Sequence, residues 1–333
     1  MEHKYITCTG YGGTGSSVIS DLMKEFDNVK SCGADFEMTI AFDHHGISDL
    51  QHYIIDDFER NKVSEGIFDF IEHVKQISPN YDRHLGIDFE SIMEKYIRNI
   101  IDVEWLGFTV QHLYRYPRWQ RIIMYRIPSI IQSFLIKYND GYEHSAKYKR
   151  KLPIRISYGE NNFYNETQKM YRVLLDSFDK SYKCEYLCFD QLVPAYNFER
   201  YLRYFPNLKV IVVDRDPRDL YLLNELYWHE GWIPSHNIDI FIKWFKLIRE
   251  DRNYNNVSNV LFVNFEEGIC NYDLFVDKIT DFIGLDKSAH SSPQQYFNPT
   301  VSKKNYKLWQ NCKSKVKEID KIHKELESFC WNE

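Results

Sequence analysis

Residues 10–17 read Gly-Tyr-Gly-Gly-Thr-Gly-Ser-Ser. A short apolar run, Tyr5-Ile6-Thr7-Cys8-Thr9, precedes them, and Val18-Ile19-Ser20-Asp21-Leu22-Met23 follows. Strand, glycine-rich turn and helix start make a phosphate cradle. Glycines take positive φ and let backbone approach a ligand closely. Successive N–H groups then form a concave nest, and the next helix turns its positive end toward it. The hydroxyls of Ser16 and Ser17 can add donors. The informative detail is a missing charge. In triphosphate loops of the form G-x-x-x-x-G-K-[ST], the lysine reaches the β- and γ-phosphates. Gly10 and Gly15 have that spacing, but the lysine position holds Ser16. The loop suits an anion yet lacks the residue that grips a triphosphate.

A second segment places charged residues at the end of a strand. Leu208-Lys209-Val210-Ile211-Val212-Val213 reads as a buried parallel strand. The turn Asp214-Arg215-Asp216-Pro217-Arg218-Asp219 follows it. Ligands of α/β folds sit at this end of a strand. Pro217 suits a first helical position with Asp216 as its cap. Arg215 would project from the strand end, and its planar fork matches a phosphate.

Together these segments resemble the sulfotransferases that use 3′-phosphoadenosine 5′-phosphosulfate (PAPS). In that family an N-terminal Gly/Ser/Thr loop holds the 5′-phosphosulfate, and a strand ending in R-x-P-x-[DE] holds the 3′-phosphate. The counterparts are Gly12, Gly13, Thr14, Gly15, Ser16 and Ser17, and Arg215 to Asp219 with Arg218. Val260–Glu267 and Phe275–Leu285 resemble the family's late strand and helix. Asn298–Asn305, with Lys303 and Lys304, resembles its basic nucleotide-closing loop. Gly-Thr-Gly-Ser-Ser followed by Gly46-Ile47-Ser48-Asp49-Leu50 is most similar to prokaryotic members associated with cell-surface polysaccharide. The resemblance covers residues 4–55 and 184–310. It implies PAPS as co-substrate, no metal, and a hydroxyl acceptor on a carbohydrate. Two positions depart from the family pattern. Gly13 stands where most members carry a lysine or arginine, and Leu223 where a serine is usual. Asn224 follows Leu223 and offers a polar contact; Arg218, Lys303 or Lys304 could replace the lost cation.

Moving a sulfuryl group needs positioning, charge stabilisation and a base for the acceptor proton. The base candidates lie in Asp35-Phe36-Glu37 and Asp43-His44-His45. Glu37 comes first, by resemblance to members using a carboxylate and by its place nearest the second strand; His44 and His45 resemble the histidine bases of other members. His229 is an outside candidate. Two other readings stand beside sulfuryl transfer. One is a nucleotide-type phosphotransferase, against which Ser16 argues. The other is a non-catalytic nucleotide-binding protein, favoured if Gly13 and Leu223 have cost contacts.

The elements that must position these residues follow from patterning. Strands are expected at 4–9, 29–33, 185–189, 208–213 and 260–264, and helices near 16–26, 196–205, 237–251, 271–283 and 311–329. This predicts an α/β protein with a central parallel sheet of about five strands, helices on both faces and a large helical insertion; the resemblance implies that these form a three-layer P-loop-like fold. The whole chain, 1–333, reads as one domain with the insertion at about 60–180. Of the 333 residues 44% are hydrophobic and 16% aromatic, enough for a large core. The seven cysteines form no C-x-x-C pair, which suggests reduced thiols in a cytoplasmic protein. Between 111 and 160 lie ten Lys/Arg and three acids, a local +7 within a net charge of −6. This basic aromatic insert suits an anionic acceptor or a stacked sugar. The stretch Trp119 to Lys137 could instead lie on a membrane surface. Nucleic acid is disfavoured by the acidic balance and the lack of a binding motif.

Overall fold

The computed structural model describes residues 2–136, 142, 151–205, 207–250 and 257–332. Lys137, Lys147, Lys149 and Arg150 of the basic insert lie outside these, as do Asp140 and Glu143. The strands in chain order are β1 Lys4–Gly10, β2 Val29–Ser31, β3 Val103–Gly107, β4 Leu152–Ile156, β5 Tyr186–Asp190, β6 Lys209–Asp214 and β7 Val260–Asn264. The chain forms two compact units. One comprises residues 1–42, 84–86 and 171–333, the other 43–83 and 87–170.

The first unit is built on a five-stranded sheet in the order β2-β5-β1-β6-β7, parallel throughout. Parallel strands covered on both faces read as continuous apolar runs, and β5 and β6 do so. Cys8, Cys188, Ile211 and Val213 pack on one face with Ile19 and Leu22 of helix Ser17–Met23 and Phe275 and Ile279 of helix Tyr272–Ile283. Alternate residues Leu187, Phe189, Val210 and Val212 are fully buried on the other face. There the Phe178 ring lies 5.3 Å from Phe189. The expected three-layer α/β architecture, with five parallel strands, is therefore present.

Two buried ion pairs fix the C-terminal end of β6. Arg249 donates to both oxygens of Asp214 at 2.7 and 3.1 Å. The Arg218 fork does the same to Asp216 at 2.5 and 3.0 Å, and also donates to the Trp331 carbonyl. Asp216 caps helix Pro217–Leu223 through the Arg218 amide, as the Pro217 position predicts. Removing one partner of a buried pair strands the other charge. Arg218→Ala should therefore lower unfolding free energy by about 3–5 kcal/mol in a urea titration; a change under about 1 kcal/mol would show that Asp216 finds other partners.

The second unit holds most of helix Arg60–Leu85, helix Phe89–Ile100 and the start of Glu160–Asp176. It differs from the expected, mostly helical insertion in two ways. It begins at 43 rather than about 60, and it carries an antiparallel hairpin of β3 with β4. Leu152-Pro153-Ile154 is short and interrupted by a proline, so no strand pattern stands out. Among the described residues, no helix is long and apolar enough to cross a membrane.

Candidate functional site

The C-terminal ends of β1, β5 and β6 open into one cleft of about 1310 Å³ within the first unit. Gly12 to Ser17 line it from β1, Asp190 and Gln191 from β5, and Arg215 from β6. Strand ends in a parallel sheet are where α/β folds bind ligands. A single small-molecule site usually measures roughly 300–1,000 Å³, so this cleft has room for a donor and an acceptor together.

The loop conformation follows from its glycines. Gly13 and Gly15 take φ of +66° and +93°, a region costly for residues with a Cβ. Among the described residues, no backbone carbonyl accepts from the amides of Gly12 to Ser17. The Thr14 hydroxyl is buried without a partner. A nest of free amides is the anion-binding half of the site.

The cationic half is Arg215, only 3% exposed. Its Nη1 donates to the Gly13 carbonyl at 3.1 Å, and its Nε has no partner. The guanidinium lies 3.8 Å from the Phe265 ring centre and 5.8 Å from that of Trp228. Among the described residues, no carboxylate forms an ion pair with it. Burial pushes its pKa down to about 10, against the field of Glu266 and Asp219. It stays charged at neutral pH, a buried cation with open hydrogen-bonding capacity. The two carboxylates in its field are tied to backbone amides instead. Glu266 accepts from Asp216, and Asp219 from Lys307 and Trp309. Burial raises their pKa values to about 7 and about 6.

This geometry explains Gly13. A Cβ there would sit 3.0–3.2 Å from Leu220, Trp228 and Ile233. A side chain at position 13 would therefore crowd three apolar neighbours on a backbone of positive φ. The charge comes from below the loop instead, from β6.

Opposite the loop are two carboxylates on neighbouring backbone. Glu37 forms an isolated parallel bridge with Asp190, and both line the cleft. Glu37 is exposed, whereas Asp190 is 2% exposed and accepts from the Cys8 thiol at 3.3 Å. Burial pushes the Asp190 pKa up to about 7; the thiol opposes this and the charge of Glu37 adds to it. Sequence reading passed over Asp190. A signal existed, since it directly follows the strand expected at 185–189 and ends β5 in the structure.

The remaining expected residues fall as follows. Arg218 is committed to Asp216, and its guanidinium stacks 4.0 Å from the Trp309 ring. The Asn224 side chain donates to the carbonyls of Glu230 and Ile233 and to Ser235, and accepts from the Glu230 amide. Asn224 thus shapes the segment carrying Trp228 and Trp232, both at the cleft. Lys303 and Lys304 are exposed, on a segment whose Ser302 and Asn305 line the cleft. Tyr296 and Phe297, also lining, are held by the fully buried Glu25, which accepts from both amides at 3.1 and 2.9 Å. His44 and His45 belong to the second unit. Their rings lie 3.8 Å apart, and His44 Nδ1 is 3.5 Å from Asp49. Ligand atoms of His44, His45 and Asp49 fall within 4.8 Å of one another, a set that could hold a metal ion.

No family model matches the chain, and no curated protein does. Among solved structures, the sulfotransferase domain from the curacin biosynthetic pathway is similar at 11% identity over 98% of each chain, with TM-score 0.41. The sulfotransferase domain from the Synechococcus PCC 7002 olefin synthase is similar at 11% identity over 100% of this chain and 97% of that one, with TM-score 0.43. Retinol dehydratase, in complex with androsterone and the inactive cofactor PAP, is similar at 11% identity and TM-score 0.36, over 100% of this chain and 83% of that one. Likenesses of this size leave the functional reading to the geometry of the cleft.

Proposed function

We propose that this chain is a sulfotransferase that moves the sulfuryl group of PAPS to a hydroxyl of a carbohydrate. The observation that carries the reading is Arg215, a buried cation without a carboxylate partner that meets a lysine-free glycine loop. A triphosphate concentrates its charge on one arm and calls for a lysine in the loop. A nucleotide with a phosphosulfate arm and a separate 3′-phosphate spreads its charge. Backbone amides plus one arginine match the smaller local share.

The residues present fit such a donor. The free amides of Gly12 to Ser17 and the Arg215 fork would hold its phosphate oxygens. Trp228, Trp232 and Phe265 offer flat faces beside the loop, and Lys303 and Lys304 lie on a segment that borders the cleft. PAPS supplies an activated sulfuryl group, and the protein's part is placement and charge stabilisation. Asp190 takes the proton of the acceptor hydroxyl. Its pKa, raised mainly by burial and further by the charge of Glu37, suits a general base working near neutrality. Arg218 and Asn224 act one step back, by holding the turn and the tryptophan segment.

A phosphotransferase is the second reading, and Ser16 in the lysine position weighs against it. A binding-only protein is the third reading, and it predicts nucleotide binding with no transfer to any acceptor. Incubation with radiolabelled PAPS and a panel of glycans tests the proposal. Label should appear on a neutral or acidic polysaccharide, and its appearance should require Arg215. No transfer to any hydroxyl acceptor, with the nucleotide bound, would leave only the binding role.

A further inference from the structure

The helical stretch formed by Arg118–Arg121, Ile122–Arg126 and Ile127–Leu135 is turned inside out. Polar Gln132 is 5% exposed, whereas Trp119, Ile123, Ile127, Ile130, Phe134 and Leu135 face outward at 43–81% exposure. The outward residues recur at helical spacing and form one stripe along about 27 Å of helix. Apolar surface of this extent marks an interaction face. The inner side is already packed: Tyr125 stacks on Phe108 at 5.5 Å, and Met124 lines a small pocket with Phe68 and His112.

Charge identifies the occupant. From Trp105 to Lys137 the sequence has no Asp or Glu, in a chain of net −6. Arg118 and Arg126 are exposed on this stretch, and Arg121 lies 5.6 Å from the Tyr114 ring. Arg115 is answered by Glu65 and Asp69, but no ion pair is formed by the other three among the described residues. An apolar stripe with a tryptophan, on a stretch whose only charged residues are arginines, matches the boundary of an anionic bilayer, where the chains take up the stripe and headgroups meet the arginines. The stretch is too short and too interrupted to span one.

We infer that residues 118–135 seat this protein in the surface of an anionic lipid membrane, with the helix lying in the plane. This stands independently of the sulfuryl-transfer reading. The test is flotation of the full chain with phosphatidylcholine vesicles, with and without phosphatidylglycerol. The protein should float with the anionic vesicles, and rising salt should release it. Phe134→Ser with Leu135→Ser should weaken partition at least about tenfold, while Leu274→Ser, at an exposed leucine of the first unit, should not. Arg118→Gln with Arg126→Gln should remove the preference for anionic lipid. No flotation with anionic vesicles would overturn the inference. So would equal loss with Leu274→Ser, or a lipid-free dimer that the Phe134/Leu135 change dissociates in a protein that binds no vesicle.

Discussion

Arg215→Met should weaken binding of adenosine 3′,5′-bisphosphate by about 30-fold or more, while the melting temperature stays level or rises. Both halves follow from the same observation. Arg215 is buried beside Phe265 with no carboxylate ion-paired to it, so the folded protein bears its desolvation without a compensating pair. Replacing a buried charge with an apolar side chain of similar length is often neutral or stabilising. Removing a charge-assisted bond to a phosphate from a desolvated site costs about 2–5 kcal/mol. The contrast is Arg218, also buried but locked to Asp216, whose loss should destabilise the fold. Calorimetric titration and thermal melting of both variants separate the roles. If Arg215→Met unfolded the protein, or left bisphosphate binding unchanged, Arg215 would be a structural residue.

Asp190→Asn should lower transfer by about 10²–10⁴-fold and at the same time stabilise the protein above neutral pH. The sign follows from linkage. The Asp190 pKa is raised from 3.8 to about 7 in the folded state, mainly by burial. Below about pH 4 both folded and unfolded forms hold the proton, and the group costs nothing. As pH rises from about 4 to about 7 the unfolded chain releases its proton first, so stability falls across that window. At pH 8 the cost is on the order of 2–4 kcal/mol, and the asparagine variant escapes it. Transfer by the parent protein should rise with pH through about 7 as the base ionises. Glu37→Gln removes a neighbouring charge that holds this pKa up, so its inflection should move to lower pH. Urea titrations of the parent and Asp190→Asn at pH 5 and pH 8, with a pH–rate profile, read these effects. An asparagine variant that is active, or that gains no stability at pH 8, would remove Asp190 from the mechanism.

Much of the fold was legible because its strongest signals are local. β5 and β6 are uninterrupted apolar runs, and the first glycines sit between a strand and a helix. Asp216 and Pro217 marked a helix start that the structure places at Pro217. The hairpin of β3 and β4 was not legible, since its strands pair across 44 intervening residues (108–151) and neither carries a clear period of two. The anion loop could be read from Gly12 to Ser17, but the source of its positive charge could not. That depended on Arg215 and Gly13 meeting across 202 residues. Arg218 and Asn224 have the right residue types for ligand contacts, and only their partners reveal that their donors are taken. Asp190 was hidden for the opposite reason. Its pKa is set by burial against Cys8 and Glu37, which the sequence does not display.

The most direct test is a calorimetric titration of the intact protein with adenosine 3′,5′-bisphosphate in EDTA, beside ATP with magnesium. The expected result is stoichiometric bisphosphate binding without metal, weakened by salt and lost in Arg215→Met, with ATP much weaker. Magnesium-dependent ATP binding with no affinity for the bisphosphate would contradict a lysine-free loop and Arg215 as a sulfonucleotide site.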